Sequence, residues 1–187
     1  MKPGVRALGV AESFRKRGKK SLLAGVVLRS DGPVDGVALE SATVGGMDAT
    51  DGILRLHRAL RRDDVPLLFL GGCVISWFNI VDLERVHRET RIPLVCVTYE
   101  ESPGLEGHLR DLFPEDGEER VALYRSLGKR ERFRLATGHD VYARFLGLTR
   151  KGAQEWLDRF TRHGKVPEPV RVARLVARAA LNQSLNP

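Results

Sequence analysis

The sequence contains little cysteine and no long apolar run. Cys73 and Cys96 are the two cysteines among 187 residues, too few for a disulfide framework and without a metal-ligand spacing. Such scarcity is typical of a protein in a reducing compartment, so we expect a cytoplasmic location. The longest apolar stretch, residues 22–28, is far shorter than the ~20 residues of a membrane-spanning helix, and no apolar segment follows Met1. We therefore expect neither membrane insertion nor secretion.

The composition is that of a folded globular protein with a basic excess. Hydrophobic residues make up 42% of the chain and charged residues 29%. No linker-like segment divides the chain, so residues 1–187 are predicted to form a single domain. Lys and Arg number 31 against 24 Asp and Glu, a net charge of +7. Because each neutralised phosphate releases a counterion, this excess favours a nucleic acid, DNA or RNA, as the partner.

The order of apolar segments predicts an α/β fold. Segments 5–10, 22–28 and 34–39 indicate three antiparallel strands, with a basic hairpin tip at 15–20 and a turn at 30–33. Helical patterns then alternate with buried strands at 66–70 and 93–99, which indicates parallel pairing. Short strands at 132–135 and 141–146 and two final helices complete the pattern. Three antiparallel strands followed by parallel strands, flanked by helices, is the mixed sheet of a ribonuclease H-like fold.

Two helices carry more detailed predictions. Asn79 with Asp82 three residues later has the spacing of a capping box, so a helix is expected to begin at Asn79. The last helix begins near Pro169 and is expected to bury one apolar face. The residues predicted on that face are Val172, Leu175, Val176 and Ala179.

Four segments resemble an archaeal family called domain of unknown function 99. They are residues 6–14 (RALGVAESF), 43–50 (TVGGMDAT), 78–82 (FNIVD) and 167–178 (PEPVRVARLVAR). That family is similar to endonuclease V, and the resemblance implies an endonuclease V-like fold across the chain. In such nucleases, carboxylates at strand ends hold divalent metal ions, Mg²⁺ or Mn²⁺, beside the scissile phosphate.

The chain departs from that nuclease pattern at its carboxylates. Ala11 and Gly71 stand where the resemblance implies aspartates, while Asp48 has a counterpart and Glu12 is a substitute one residue along the first strand. A shift of one residue turns a strand side chain to the opposite face of the sheet. Asp48 and Glu12 are thus the candidate metal ligands and catalytic residues. Asp48 can equally be a helix N-cap, and Glu12 an ordinary carboxylate at a strand end.

The segment 73–79 is a candidate ligand-binding loop, because it follows the carboxyl end of a predicted central strand. Trp77 and Phe78 could stack on a base while Ser76 and Asn79 contact its edge, or the aromatic pair could lock the loop onto the core. Cys73 could be an exposed nucleophile near a helix N-terminus, although a buried thiol is the commoner state. The five histidines have no metal-ligand spacing.

Two basic clusters are candidate phosphate contacts. The hairpin tip carries Arg15, Arg17 and Lys19, and the last helix carries Arg171, Arg174 and Arg178 at helical spacing. Either cluster could instead be a solvated surface. Three functions follow: a nucleic-acid-associated protein with weakened or lost catalysis, an active divalent-metal-dependent nuclease using Asp48 and Glu12, or a small-molecule enzyme or sensor with a pocket near Cys73 and Trp77.

Overall fold

The computed structural model describes residues 3–183. Its strands are β1 (Arg6–Ser13), β2 (Lys20–Arg29), β3 (Val34–Thr43), β4 (Leu68–Leu70), β5 (Val74–Ile75), β6 (Asn79–Ile80), β7 (Leu94–Thr98), β8 (Glu131–Arg134) and β9 (Asp140–Leu146). Its helices are α1 (Ala49–Leu60), α2 (Leu83–Thr90), α3 (Glu106–Leu112), α4 (Gly117–Ser126), α5 (Arg150–Phe160) and α6 (Glu168–Gln183). No helix in this range is long and apolar enough to cross a membrane.

Seven strands form one mixed sheet in the order β3-β2-β1-β4-β7-β9-β8. β1, β2 and β3 pair antiparallel, β1, β4 and β7 run parallel, and β9 and β8 return antiparallel. The predicted mixed sheet is therefore confirmed. β1 ends at Ser13, further along than the apolar pattern predicts, because Glu12 and Ser13 still pair with Leu23 and Leu22. Glu12 is therefore part of β1, near the carboxyl end of that strand.

Helices cover both faces of the sheet and bury two apolar clusters. On one face, α1 and α2 pack through residues such as Ile53, Leu56 and Val86. On the other face, α5 and α6 pack through Leu157 and Ala173. Because side chains alternate along a strand, the central strands β1, β2, β4 and β7 each contribute to both clusters.

The contact between α6 and β1 depends on a glycine. A methyl group at Gly9 would lie 2.2 Å from the carbonyl carbon of Pro169, closer than any backbone atom tolerates. The helix therefore approaches the strand with its small residues, and buries Val170, Ala173 and Ala177.

The predicted apolar face of α6 is confirmed only in part, because Val172 and Val176 pack against the core whereas Leu175 and Ala179 do not. Leu175 is 53% exposed and Ala179 is exposed, while Val172 and Val176 are only partly buried. Hydrophobic periodicity favoured the larger side chains, but the close approach at Gly9 leaves room only for small ones.

A short hairpin, β5–β6, lies outside the main sheet and packs against α3 and α4 around Ile80, Leu109 and Val121. The predicted capping box at Asn79 is wrong, because Asn79 belongs to β6. α2 instead begins after Asp82, whose side chain accepts a hydrogen bond from the Arg85 backbone N–H at 2.9 Å. Because Asn79 lies in β6 rather than in α2, its buried side chain can reach the first residue of α1, Ala49.

Candidate nucleic-acid interface and carboxylate site

Small residues stand near the carboxyl ends of the parallel strands β1 and β4, Ala11 within β1 and Gly71 directly after β4. A methyl group placed on Gly71 would lie 3.8 Å from the Ala11 Cβ atom and 2.8 Å from Cγ1 of Val170. Ala11 is 6% exposed. The two positions at which the resemblance implies aspartates thus face each other, but they form an apolar contact with α6. No carboxylate oxygen can come from either position.

Glu12 lies at the same edge with its side chain on the other face of β1, since alternate residues Leu8 and Val10 face α1 and Ala11 faces α6. Burial raises the pKa of Glu12 above its usual value. The backbone N–H of Ser76 and the positive charge of Arg174 oppose that rise. The one-residue displacement therefore gives Glu12 a setting different from that of a carboxylate at position 11.

Asp48 immediately precedes α1, but its side chain does not cap that helix. Its Oδ1 accepts hydrogen bonds from the Thr43 backbone N–H and the Asn79 amide, each 2.8 Å long. Its Oδ2 accepts one from the Thr43 hydroxyl, also at 2.8 Å. Partial burial acts to raise the pKa of Asp48, but these hydrogen bonds outweigh it and hold the pKa below its usual value.

Asn79 supplies the cap that Asp48 does not. Its Oδ1 accepts the Ala49 backbone N–H at 3.0 Å, and its amide group donates to the Thr43 carbonyl and to Asp48. Asn79 is fully buried. The side chain expected at a base edge is therefore engaged inside the protein, where it ties β6 to α1.

The residues present do not fit the pair of metal ions that the resemblance implies. Two-metal catalysis needs several carboxylate oxygens around ions about 4 Å apart. Glu12 and Asp48 are two carboxylates, and both oxygens of Asp48 already accept hydrogen bonds. Within residues 3–183, no three His, Cys, Asp or Glu side chains lie close enough together to hold a metal ion.

The β5–β6 hairpin turns through three consecutive left-handed residues. Ser76, Trp77 and Phe78 have φ angles of 47°, 61° and 61°. Non-glycine residues avoid this conformation at a cost of roughly 1–2 kcal/mol each, so the surrounding contacts must hold the turn in place. Ser76 does so from within: it is fully buried and its hydroxyl hydrogen-bonds that of Ser21 at 2.6 Å. Ser76 is therefore not at the surface where a base edge could reach it.

Arg120 braces the outer side of the turn. Its guanidinium donates to the carbonyl oxygens of Phe78, Gly46 and Gly45 at 3.0, 3.1 and 2.8 Å. It also pairs with Asp116 at 2.8 Å, and Arg120 is only 3% exposed. The sequence gives no signal for this role, because the partners are backbone carbonyls and the nearest of them is 42 residues away.

Trp77 is held at the tip of the hairpin and remains partly exposed. Its ring meets that of Phe78 edge to face with centroids 5.2 Å apart. The Lys16 ammonium group lies 4.1 Å from the centre of the Trp77 ring. The basic tip between β1 and β2 thus contacts the aromatic turn. The sequence analysis predicted the tip and the turn as two separate features.

The basic tip has no acidic counterpart in the described part of the chain. Arg15, Lys16, Arg17 and Lys19 are all exposed. No Asp or Glu of residues 3–183 lies within ion-pair distance of any of them. These four exposed cations therefore belong to the loop that reaches the Trp77 ring, while Lys20, the fifth cation of residues 15–20, donates to the Thr43 hydroxyl at 3.1 Å.

The three arginines of α6 do not act as one stripe. Arg171 forms an ion pair with Glu168. Arg174 is half-buried, and its guanidinium lies 5.8 Å from the centre of the Tyr99 ring and near Glu12. Arg178 is exposed further along the helix. Of the three, Arg174 is the one placed at the edge that carries Glu12.

Cys73 does not precede a helix, since the β5–β6 hairpin follows it. It is 2% exposed, and an Arg144 guanidinium nitrogen lies 3.4 Å from its sulfur. A hydrogen bond from the Cys96 thiol, together with the charge of Arg144, lowers the pKa of Cys73 to about 7. Cys73 lines a cavity of about 160 Å³ whose lining does not include Trp77. This cavity therefore lies beside Cys73 but not beside Trp77.

The mixed sheet with helices on both faces is the fold of the endonuclease V class, which is ribonuclease H-like. Human ENDOV superimposes with a TM-score of 0.66 at 18% identity, over 97% of this chain and 86% of that one. Endonuclease V from Ciona intestinalis, solved with a DNA containing an inosine followed by a ribo-adenosine, gives a TM-score of 0.64 at 11% identity, over 96% of this chain and 87% of that one. These likenesses confirm the predicted fold.

Within that class, the chain belongs to the family described as Endonuclease dU, whose sequence model matches residues 3–181. A UPF0215 protein of Pyrobaculum calidifontis is 39% identical over 171 residues, 91% of this chain and 93% of the relative. A protein of unknown function from Archaeoglobus fulgidus has a TM-score of 0.80 at 33% identity, over 94% of this chain and 97% of that one. The predicted membership of an uncharacterised, endonuclease V-like archaeal family is confirmed.

Proposed function

We propose that this protein binds nucleic acid at the edge formed by the basic tip and the Trp77 turn, without cleaving it by a two-metal route. The observation that carries the proposal is the Lys16 ammonium group over the Trp77 ring, beside three further cations with no acidic partner in the described chain. Exposed cations neutralise phosphates, and a partly exposed indole offers a face on which an unpaired base stacks.

The position of this surface supports the same conclusion. It lies beside Glu12 at the carboxyl ends of β1 and β4, the edge at which open α/β sheets place their ligands. Arg174 extends the positive charge along that edge from the side of α6. Endonuclease V of the same fold has been solved in complex with DNA. An unpaired strand offers phosphates to the cations of the tip and a free base face to Trp77. We therefore expect single-stranded DNA or RNA to bind better than a duplex.

The residues at the strand ends support the proposed loss of the two-metal route. Ala11 and Gly71 close against Val170, and the Asp48 carboxylate serves Thr43 and Asn79. The family description names an endonuclease, and an active nuclease on this chain would need a metal ion held by Glu12 and Asp48. Calorimetric titration of Mn²⁺ into the wild type and Asp48→Ala separates the two cases. We expect no binding to either protein, whereas tight binding lost in Asp48→Ala would support the nuclease.

Binding itself is tested by fluorescence anisotropy with labelled single-stranded DNA, single-stranded RNA and duplex DNA at two salt concentrations. We expect the triple variant Arg15→Gln/Arg17→Gln/Lys19→Gln to bind a single strand about ten- to a hundredfold more weakly and to lose about 2 from its salt slope. Trp77→Leu should bind about tenfold more weakly at an unchanged slope, because it removes stacking and no charge.

The matched control is Arg58→Gln/Arg88→Gln/Lys151→Gln, which removes the same charge from exposed helix positions away from the tip. The control should retain most of the wild-type affinity. Equal losses in the two triple variants would mean that binding reflects net charge alone and would contradict a defined surface. Absence of binding to every probe at low salt would overturn the proposal.

A further inference from the structure

A cleft on the β7–β9 side of the sheet holds two arginines, Arg130 and Arg144, that form no ion pair with a carboxylate of residues 3–183. The cleft has a volume of about 550 Å³ and lies between the segment after β7 and the segment before β8. The smaller cavity beside Cys73 shares part of its lining, including Tyr124, Arg130 and Arg144. Neither the basic tip nor Trp77 contributes to either cavity. The cleft is thus distinct from the surface proposed to bind nucleic acid.

Arg144 is the central feature of this cleft. It lies on β9 and is only 9% exposed. Its guanidinium donates to the Gly128 carbonyl at 2.9 Å and to the Cys73 sulfur at 3.4 Å. Five N–H donors belong to a guanidinium, so these two contacts leave most of its hydrogen-bonding capacity for the cavity side. No carboxylate of residues 3–183 forms an ion pair with it.

Arg130 stands across the opening and is held in place by neutral groups. It donates to the Thr98 hydroxyl and to the Glu100 and Ser102 carbonyls, each at 3.1 Å. Its guanidinium lies 5.5 Å from the centre of the Tyr142 ring, on the strand that carries Arg144. Like Arg144, it makes no ion pair with a described carboxylate. The site is therefore built before any ligand arrives.

The charges around the cleft favour an anion. Arg125 and Lys129 also line it, and they are joined by two acids, Glu101 and Glu106. Arg125 lies 3.7 Å from Glu106 and offsets its charge. Four cations against two acids leave a net +2 on the cleft lining. The Cys73 thiol, with a pKa of about 7, neutralises the charge of Arg144 only in part at neutral pH. A nearly buried cation that is not fully neutralised favours an anion beside it, and a guanidinium fork matches the oxygens of a phosphate group.

We infer that the cleft binds a phosphate-bearing ligand between Arg130 and Arg144. The phosphate could belong to a free nucleotide or sugar phosphate, or to the end of a nucleic-acid strand. Tyr124 and Tyr142 line the same cleft and offer apolar faces to the organic part of such a ligand. This inference does not rest on the proposed nucleic-acid surface, because inorganic phosphate alone tests it.

The experiment is calorimetric titration of inorganic phosphate into the whole protein, at an ionic strength matched with chloride. We expect saturable binding by the wild type. Arg130→Gln and Arg144→Lys should each weaken it by about tenfold or more, since each removes charge-assisted hydrogen bonds. Arg88→Gln removes one charge from the exposed part of α2 and should leave binding unchanged.

Two further titrations identify the source of the phosphate. Tighter binding of a 5′-phosphorylated oligonucleotide than of its 5′-hydroxyl twin, lost in Arg130→Gln, would assign the site to a strand end. Tighter binding of a nucleoside monophosphate than of phosphate, without that end effect, would assign it to a free phosphate ester. Absence of phosphate binding by the wild type, or equal binding by Arg130→Gln and the wild type, would overturn the inference. Arg130 is half-buried at the rim, so this variant tests the site even if Arg144→Lys fails to fold.

Discussion

Replacing Arg120 should destabilise the protein more than any substitution on the exposed face of the same helix. Arg120→Met removes three hydrogen bonds to the carbonyls of Gly45, Gly46 and Phe78, and the ion pair with the partly exposed Asp116. Each buried carbonyl left without its donor costs about 1–3 kcal/mol. Part of this loss is recovered when water reaches the carbonyls, so we expect a decrease of about 3 kcal/mol in the free energy of unfolding.

That decrease corresponds to a fall of about 6–12 °C in Tm for a chain of this size. Equilibrium urea unfolding measures it, with Arg125→Gln as the control. Arg125 is exposed on the same helix, and its ion pair with Glu106 is 3.7 Å long, so its loss should cost less than about 0.5 kcal/mol. A second consequence is that Arg120→Met should weaken single-strand binding, since the left-handed turn that presents Trp77 loses its brace. Equal stability of the two variants would refute the bracing role.

Two further substitutions test the packing at the strand ends. Glu12→Gln should raise Tm at pH 7 and leave it unchanged near pH 4. The reason is that burial raises the pKa of Glu12 and so destabilises only its ionised form, which glutamine cannot adopt. A higher Tm of the wild type at pH 7 would contradict this. Gly9→Ala should lower the free energy of unfolding by about 1–3 kcal/mol or more, since its methyl group meets the Pro169 backbone. The control, Gly107→Ala in α3, meets nothing within 4 Å and should be neutral or stabilising.

The sheet could be predicted from sequence because its central strands are largely apolar and the turn between β2 and β3 carries aspartate, glycine and proline. The continuous run before Gly71 indicated a central strand, and β4 indeed lies between β1 and β7. The buried face of α6 could not be predicted in the same way. It depends on the approach of Pro169 to Gly9, a contact between residues 160 positions apart that hydrophobic periodicity does not encode.

The sequence indicated polar residues of this region but not the contacts that they make. Asp48 and Asn79 are hydrogen-bonded to each other, and Ser76 is buried with its hydroxyl against that of Ser21. The contact of Lys16 with Trp77 joins two loops that are 61 positions apart, and Arg120 is bound to carbonyls that carry no sequence signal. Sequence patterns identify the polar side chains, but hydrogen bonds between distant segments decide which of those side chains remain free to bind a ligand.

The central claim, binding without cleavage, is tested most directly by incubating a labelled single strand with the protein in Mn²⁺ or in EDTA and measuring its anisotropy and then its length. We predict the same affinity in both conditions and a strand of unchanged length. Shortening of the strand in Mn²⁺ that Glu12→Gln abolishes would contradict the account and establish a working metal site on this chain.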